Sequence, residues 1–342
     1  MSPPTTGAKP KVLALSHPTY TSEEYLADFK SKYDFHVLKS PGRAGAIPEI
    51  AELAARNGPY DAVMVRMGTL PFEPFDQELF GPLVPHCKII ASGSAGYNEF
   101  DVDWMTRSKI WFCNTRNAVS EATADMSMFL ILAVLKNATT LLSAQYPLGH
   151  TNRDRSHQNG TKKKISNINS TQIKQHLARK ALAFNLKIKY YNRTQLPADV
   201  EAQYSATYCA TLDELLSASD IISINCPLNA ATTGLIGRKE FAKMKDGVYF
   251  INTARGMIVD EHALIEALES GKVKMAGLDV FPNEPEINPY YITSDKVILQ
   301  PHLGGLTDGA FSLSEMECFE NIKACLSTGT PIAPINFVER TS

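Results

Sequence analysis

Residues 252–305 read NTARGMIVDEHALIEALESGKVKMAGLDVFPNEPEINPYYITSDKVILQPHLGG. Three short apolar runs in and just before this stretch give way to polar residues, the first at Arg255, the second at Asp279 and the third at His302. In a parallel α/β sheet, functional groups collect where strands end. Arginine binds a carboxylate through two hydrogen bonds, and a histidine held by a carboxylate such as Glu284 remains a proton donor near neutral pH. The stretch therefore predicts a parallel α/β fold and a site for moving a proton and a hydride.

Taken singly, a loop arginine or histidine is more often an ordinary surface or core group. Here the strings N-T-A-R-G, G-L-D-V-F-x-x-E-P and P-H-L-G-G occur in order. Together they resemble the signatures of the D-isomer-specific 2-hydroxyacid dehydrogenases, and the resemblance covers nearly the whole chain. It implies that Arg255 binds substrate, that His302 is the acid/base and that Glu284 orients His302.

The resemblance also implies a domain organisation. Two Rossmann-like, doubly wound parallel-sheet domains are expected in an α/β chain. One is a flavodoxin-like substrate domain, discontinuous, made of residues 1–116 and 306–342. The other is an NAD(P)-binding domain at 117–305, with an atypical segment at 151–172.

Bulk properties limit the class of protein. The 342 residues suffice for two domains, and a net charge of -2 gives no case for nucleic acid or an acidic membrane. The six cysteines form no C-x-x-C pair, which favours buried thiols in a reducing compartment. The first residues, MSPPTTGAKPK, lack the apolar core of a secretory signal, and the apolar run 128–135 is too short to cross a bilayer. We expect a cytoplasmic enzyme without a metal site.

A loop of small residues, SGSAGYN at 92–98, follows the apolar run KIIA. Bare backbone N–H groups in such a loop can hold an anion, although an ordinary tight turn is the simpler interpretation. The S-A-G-Y-N string resembles the family's substrate-carboxylate loop, so Ala95 and Gly96 are predicted substrate contacts. Met67, at the end of the preceding strand, is predicted to line the same pocket.

Residues 119–136 are predicted to form a helix with a small polar start and an apolar remainder. Core packing alone would account for the apolar part. The resemblance implies in addition that this helix lies in a homodimer interface and that Thr123 contacts the cofactor.

The segment 151–185 departs from the family pattern, which has G-x-G-x-x-G after a buried strand. Counting back from Ala183, the three glycine positions fall on Asn169, Thr171 and Lys174. The preceding residues 162–168 carry three lysines and have little of the apolar character of a central parallel strand. Helical periodicity then resumes from Ile173.

Three explanations of this departure stay open. The segment 151–172 is a misread or alternatively spliced product, or cofactor binding has been lost. Alternatively, it is a divergent phosphate loop in which Lys174 and the hydroxyls of Ser170 and Thr171 replace backbone donors. A nucleic-acid patch is disfavoured, because the basic run lacks interleaved aromatic residues.

The remaining cofactor contacts follow strands in the second half. Asn192, Arg193 and Thr194 follow a strand where NAD enzymes usually carry an acid, and an arginine there can hold a 2′-phosphate. NADP(H) is therefore somewhat favoured over NAD(H), although an exposed turn arginine is the alternative. The resemblance adds further predicted cofactor contacts: Cys226, Pro227, Thr232, Thr253, Ala254, Asp279, His302 and Gly304.

The resulting functional prediction is NAD(P)H-dependent reduction of a small 2-oxo acid, glyoxylate or hydroxypyruvate, to the D-2-hydroxy acid. The first alternative is a catalytically silent relative acting as a binding or regulatory module. The second is a D-mandelate dehydrogenase with a roomier pocket.

Overall fold

The computed structural model describes residues 8–339 apart from 69, 139–163, 169 and 170. In the described residues, the strands are β1 (Lys11–Ala14), β2 (Asp34–Val37), β3 (Ala62–Val65), β4 (Ile89–Ser92), β5 (Trp111–Cys113), β6 (Lys164–Ile168), β7 (Lys187–Tyr191), β8 (Ala206–Tyr208), β9 (Ile221–Ile224), β10 (Val248–Asn252), β11 (Val273–Leu278) and β12 (Val297–Leu299). The α-helices are α1 (Glu23–Lys32), α2 (Arg43–Asn57), α3 (Gln77–Phe80), α4 (Val102–Arg107), α5 (Ser120–Lys136), α6 (Thr171–Ala183), α7 (Ala198–Gln203), α8 (Leu212–Ala218), α9 (Arg238–Lys243), α10 (Glu261–Glu269), α11 (Pro289–Thr293) and α12 (Asp308–Thr328).

The chain divides into two compact units. Unit 1 comprises Met1–Val119 and Leu306–Ser342, and unit 2 comprises Ser120–Gly305. Unit 1 is thus discontinuous, with unit 2 lying between its two parts in the sequence.

Unit 1 is built on a parallel sheet of order β2-β1-β3-β4-β5. Strands β3 and β4 are buried along their whole length, as expected for a parallel sheet covered on both faces. Helix α12, capped by the Thr307 side chain, packs against β3 and β4 and buries Phe319 and Ile322 in the core. Because β1 lies between β2 and β3, connections leave it in both directions, which makes the β1/β3 boundary a topological switch point.

Unit 2 has a parallel sheet of order β12-β11-β10-β9-β6-β7-β8. Here the chain runs from β6 outward through β7 to β8 and then crosses back to β9, so the switch point lies between β6 and β9. Dinucleotides bind outside the carboxyl ends of strands at such a position. Together the two parallel sheets confirm the predicted α/β fold class.

Strand β6 corrects one interpretation of the sequence. Its lysine-rich surroundings argued against a central strand, yet β6 pairs with both β7 and β9 in the middle of the sheet. Its backbone hydrogen bonds are satisfied on both edges, and Ile165 is fully buried. Main-chain pairing on both edges thus outweighs poor strand composition.

Helix α5 covers unit 2 from one side. It packs against α6, β10 and β11, with its buried face including Ala124, Leu130 and Ile131. Phe129 is half exposed on the same helix. Among the described residues, no helix combines the length and the apolar character that crossing a membrane requires.

Candidate active site

The turn after β10 places Arg255. The Asn252 side chain closes this turn, because its amide nitrogen donates to the Arg255 carbonyl at 2.9 Å and its oxygen accepts from Ala254 N at 3.0 Å. Next comes Gly256, where an added Cβ would lie 2.0 Å from the Phe281 carbonyl carbon. Only glycine allows the turn after β10 to lie this close to the backbone of the segment after β11.

Glu284 and His302 form a direct pair. His302 Nδ1 lies 2.7 Å from Glu284 Oε2, and the other carboxylate oxygen accepts from Phe281 N at 2.8 Å. The carboxylate is therefore fixed by backbone on one side and fixes the imidazole on the other. The two side chains are 41% and 33% exposed, so the ring stays accessible.

Asp279 holds the backbone that carries His302. It is almost completely buried, and its two oxygens accept from Leu303 N at 2.9 Å and Gly304 N at 2.8 Å. An added Cβ at Gly304 would lie 2.6 Å from Asp279 Oδ2, so a side chain there would disturb this contact. His302 itself has φ +56°, in the left-handed region that a histidine adopts only when its surroundings impose it.

Electrostatics link these groups. Burial alone would raise the pKa of Glu284, but the His302 hydrogen bond, the Phe281 N–H and the charges of His302 and Arg255 outweigh it and lower that pKa. Burial raises the pKa of Asp279, although its two backbone N–H partners oppose the change. Glu284 is thus the preferred anion beside the imidazole.

Replacing Glu284 with glutamine tests this charge. Because the folded pKa of Glu284 lies below its ordinary value of 4.5, its ionised form stabilises the fold above that pH. The stabilisation is lost as pH falls through the lower folded pKa. We expect Glu284→Gln to be less stable than the parent at pH 6–7, and the difference to shrink below pH 4.5 and vanish once Glu284 is protonated in the folded state. Urea unfolding measures the difference, with Glu286→Gln as control. A difference that grows towards acid would contradict it.

The predicted cofactor residues follow strands β7, β9 and β10 on the carboxyl edge of the unit 2 sheet. After β7, Asn192 is buried and its carbonyl accepts from the Tyr208 hydroxyl, whereas Arg193 and Thr194 are exposed. After β9, Cys226 is buried, and Thr232 closes the loop by donating to the Pro227 carbonyl at 2.7 Å.

After β10, Thr253 is connected to helix α5 through a residue that the sequence did not reveal. Ser127 Oγ lies 2.7 Å from Thr253 Oγ1 and donates to the Thr123 carbonyl at 2.9 Å. The predicted contacts Thr123 and Thr253 therefore lie together. The sequence did contain a signal for Ser127, because it follows Thr123 by four residues on a predicted helix. Residues i and i+4 lie on the same face of a helix, so Ser127 was expected to lie beside Thr123. Ala254, the next residue, is half-buried.

In unit 1, Ala95 and Gly96 follow β4, with Ala95 exposed and Gly96 half-buried. Met67 is nearly buried after β3. The side-chain amide of Asn114 donates to the Ala95 carbonyl at 2.6 Å. Asn114 was not predicted, although a polar residue at the end of the buried run IWFC is the kind of signal that marks a site.

Two predicted phosphate contacts cannot be placed in the same way. Ser170 lies outside the described residues, and so does most of the atypical segment, 151–163. Lys174 belongs to α6, which begins three residues after β6 ends. The structure does not describe the side chain of Lys174. The described residues contain no group of histidine, cysteine, aspartate and glutamate that could hold a metal ion.

The comparison with known families decides the identity. The model for the NAD-binding domain of D-isomer specific 2-hydroxyacid dehydrogenases matches residues 128–304, more than half of the chain. The protein belongs to this family. It is therefore an oxidoreductase with an NAD-binding domain, which confirms the resemblance seen in the sequence.

Individual members of the family are similar over almost the full length. The dehydrogenase efuE of Hormonema carpetanum is 50% identical over 99% of this chain and 85% of its own. A glyoxylate reductase from Paecilomyes thermophila is 32% identical, with a TM-score of 0.84 over 96% of this chain and 98% of its own. The holo form of Rhodotorula graminis D-mandelate dehydrogenase is 28% identical, with a TM-score of 0.89 over 98% of this chain and 99% of its own.

Proposed function

We propose that the protein reduces a 2-oxo acid to the D-2-hydroxy acid with hydride from NAD(P)H. The observation that carries the proposal is the Glu284–His302 pair at 2.7 Å, with the Arg255 charge acting on the same carboxylate. A proton donor and a carboxylate-binding cation are the two protein groups that this reaction requires. The residue roles that follow belong to the proposal.

The side chains act at separate atoms of the substrate. Arg255 binds the carboxylate and polarises the neighbouring carbonyl. His302 gives its proton to the keto oxygen as the carbon–oxygen double bond becomes a single bond. Glu284 holds the ring at Nδ1, so Nε2 faces the substrate oxygen. The developing negative charge thus meets two cationic groups.

The residues around the unit 2 switch point fit a dinucleotide. The predicted contacts follow β7, β9, β10 and β11 on one edge of the sheet, and α6 begins within three residues of β6, where a helix N-terminus can meet a phosphate. When bound, NAD(P)H supplies the hydride that reaches the keto carbon. Asn192, Arg193, Thr253 and Asp279 would hold it, with Thr123 and Ala254 nearby in the same unit.

A glyoxylate or hydroxypyruvate substrate remains our first prediction, and the glyoxylate reductase similarity supports it. The similarity to D-mandelate dehydrogenase supports an aromatic substrate as the second candidate. A catalytically silent module finds no support among the relatives described above, which are named as dehydrogenases or reductases. The homodimer through residues 119–136 and the cytoplasmic location stay predictions.

The first test is cofactor binding followed by turnover. Both tryptophans, Trp104 and Trp111, lie in unit 1, so NADPH and NADH binding should be followed by the fluorescence of the reduced nucleotide itself. Saturable binding and nucleotide oxidation on adding glyoxylate are expected. A folded protein that binds neither nucleotide would overturn the proposal. The next step would then be to sequence the transcript that encodes residues 151–172.

The cofactor preference has its own test. If Arg193 holds a 2′-phosphate, Arg193→Ser removes a charge-assisted hydrogen bond that is worth roughly 1.5–3 kcal/mol. NADPH affinity should then fall about 10- to 100-fold, and NADH affinity far less. The exposed Arg238, paired with Glu266, provides the control Arg238→Ser. Equal losses for both nucleotides would show that Arg193 does not select NADPH.

A further inference from the structure

Two tyrosine hydroxyls of unit 2 hold the loop that follows β7, residues 192–196. Tyr190 and Tyr208 are register partners on the parallel strands β7 and β8, and each lies at or next to the carboxyl end of its strand. Their rings are 5.4 Å apart between centroids, with an interplanar angle of 52°. Register partners present their side chains on the same face of a sheet, so the two hydroxyls are placed to act on one loop.

Each hydroxyl holds one end of this loop. The Tyr208 hydroxyl donates to the carbonyl of Asn192, the first residue after β7, at 3.1 Å. The Tyr190 hydroxyl accepts from Leu196 N, four residues later, at 2.9 Å. The backbone between these two points is therefore fixed at both ends, while the side chain of Arg193 between them is exposed.

A carboxylate keeps the Tyr190 hydroxyl in this role. Tyr190 donates to Glu201 Oε1 at 2.5 Å, and Gln195 Nε2 donates to the same oxygen at 3.0 Å. Burial, the Glu201 hydrogen bond and the Glu201 charge raise the pKa of Tyr190 to about 12, so the phenol stays a neutral donor. Because its proton points to Glu201, its oxygen is left to accept from Leu196 N.

The rigidity of this loop matters because of where the loop lies. Strand β7 is the neighbour of β6, which borders the switch point of the unit 2 sheet, and the loop leaves β7 at its carboxyl end. In a dinucleotide-binding sheet the adenosine ribose lies at this strand end. Binding must order every group that it immobilises, and a loop that is ordered in advance lowers this cost. An exposed arginine on a fixed backbone is therefore a better anion ligand than one on a free loop.

We propose that Tyr190 and Tyr208 are positioning residues for the cofactor, which hold the loop in the conformation in which Arg193 meets the 2′-phosphate of NADPH. The inference rests on the proposed function, which it deepens by naming the residues through which the loop favours a phosphorylated nucleotide. NADH has no 2′-phosphate, so it gains nothing from the placement of Arg193.

Removing one hydroxyl should weaken NADPH binding selectively. Tyr208→Phe keeps the ring but loses the hydrogen bond to Asn192, and the net value of such a bond corresponds to about 3- to 10-fold in affinity. We expect the dissociation constant of NADPH to rise by this factor and that of NADH to change far less. Tyr190→Phe, at the other end of the loop, should act in the same direction. The fluorescence of each reduced nucleotide measures both constants, and retained NADH binding shows that unit 2 is folded.

A double-mutant cycle tests whether the tyrosines act through Arg193. In the Arg193→Ser background, Tyr208→Phe should no longer alter the ratio of the two dissociation constants. A merely structural role would lower the affinity for both nucleotides by the same factor in either background. The matched control is Tyr204→Phe, because Tyr204 precedes β8 and so lies at the amino edge of the sheet, away from the loop. This variant should keep the parent's ratio.

The outcomes separate the two proposals. If the folded parent binds neither nucleotide, the proposed function is overturned and the positioning role with it. If the parent binds NADH as tightly as NADPH, the positioning role alone is overturned. The same holds if Tyr208→Phe and Tyr190→Phe both keep the parent's ratio, or if the Tyr208→Phe effect on the ratio persists in the Arg193→Ser background.

Discussion

Replacing His302 with asparagine is expected to lower kcat for 2-oxo acid reduction by about 10²- to 10⁴-fold, the usual contribution of a positioned proton donor. Asparagine suits the test, because it tolerates φ +56° nearly as well as any residue other than glycine. The backbone of the loop should therefore persist, and the loss reports the missing imidazole. Steady-state kinetics with NADPH and NADH measure it.

Nucleotide affinity provides the internal check on the His302 variant. We expect the dissociation constant of NADPH to change far less than kcat, since Asp279 still holds the backbone at Leu303 and Gly304. His262→Gln, at an exposed histidine of the same unit, is the matched control. A loss below tenfold in kcat would exclude His302 as the proton donor.

Replacing Gly256 with alanine is expected to destabilise unit 2 by on the order of 3 kcal/mol or more. The added Cβ would lie 2.0 Å from the Phe281 carbonyl carbon, 2.3 Å from Pro282 N and 2.4 Å from the Phe281 carbonyl oxygen. These are backbone atoms, so no side-chain rotation can relieve the clash. Relief requires that the Arg255 turn and the segment leading to Glu284 move apart.

The Gly256 experiment has a clear control. Gly309, near the start of α12, has nothing within 4 Å of an added Cβ, and Gly309→Ala should be neutral or stabilising, because alanine favours helix. Urea unfolding followed by circular dichroism reports both units, and activity should fall in Gly256→Ala even under folding conditions. Equal midpoints for the two variants would show that the close approach does not matter.

Much of the fold was accessible from local pattern. The apolar runs that form β3, β4, β9 and β10 are short, buried and followed by polar residues. The unbroken apolar runs predicted buried parallel strands, and the polar residues after them marked the carboxyl ends of these strands. The helix predicted at 119–136 is confirmed as α5, Ser120–Lys136. The Arg255, Glu284 and His302 positions rested on motifs that include their neighbours in sequence.

What the sequence did not reveal depends on contacts distant along the chain. Strand β6 is held by its two neighbours, which its own composition does not disclose. The side-chain amide of Asn114 donates a hydrogen bond to the carbonyl of Ala95, 19 residues earlier. The carboxylate of Glu315 accepts one from the backbone N–H of Tyr20, 295 residues earlier. The polar residue at the end of IWFC marked Asn114 as a candidate but not its partner, and Glu315 has no such local signal. Both partners become known only when the sheet brings the loops together.

The discontinuity of unit 1 has a consequence for synthesis in the cell. The ribosome makes the first part of unit 1, residues 1–119, before unit 2, and α12 only after unit 2, although Phe319 and Ile322 of α12 complete the core beside β3 and β4. At translation rates of about 5–20 residues per second, the nascent first sheet waits roughly 10 to 40 seconds with that apolar face uncovered. During this interval the intervening unit can finish folding, while the first exposes an apolar face of the kind that makes nascent chains prone to aggregation.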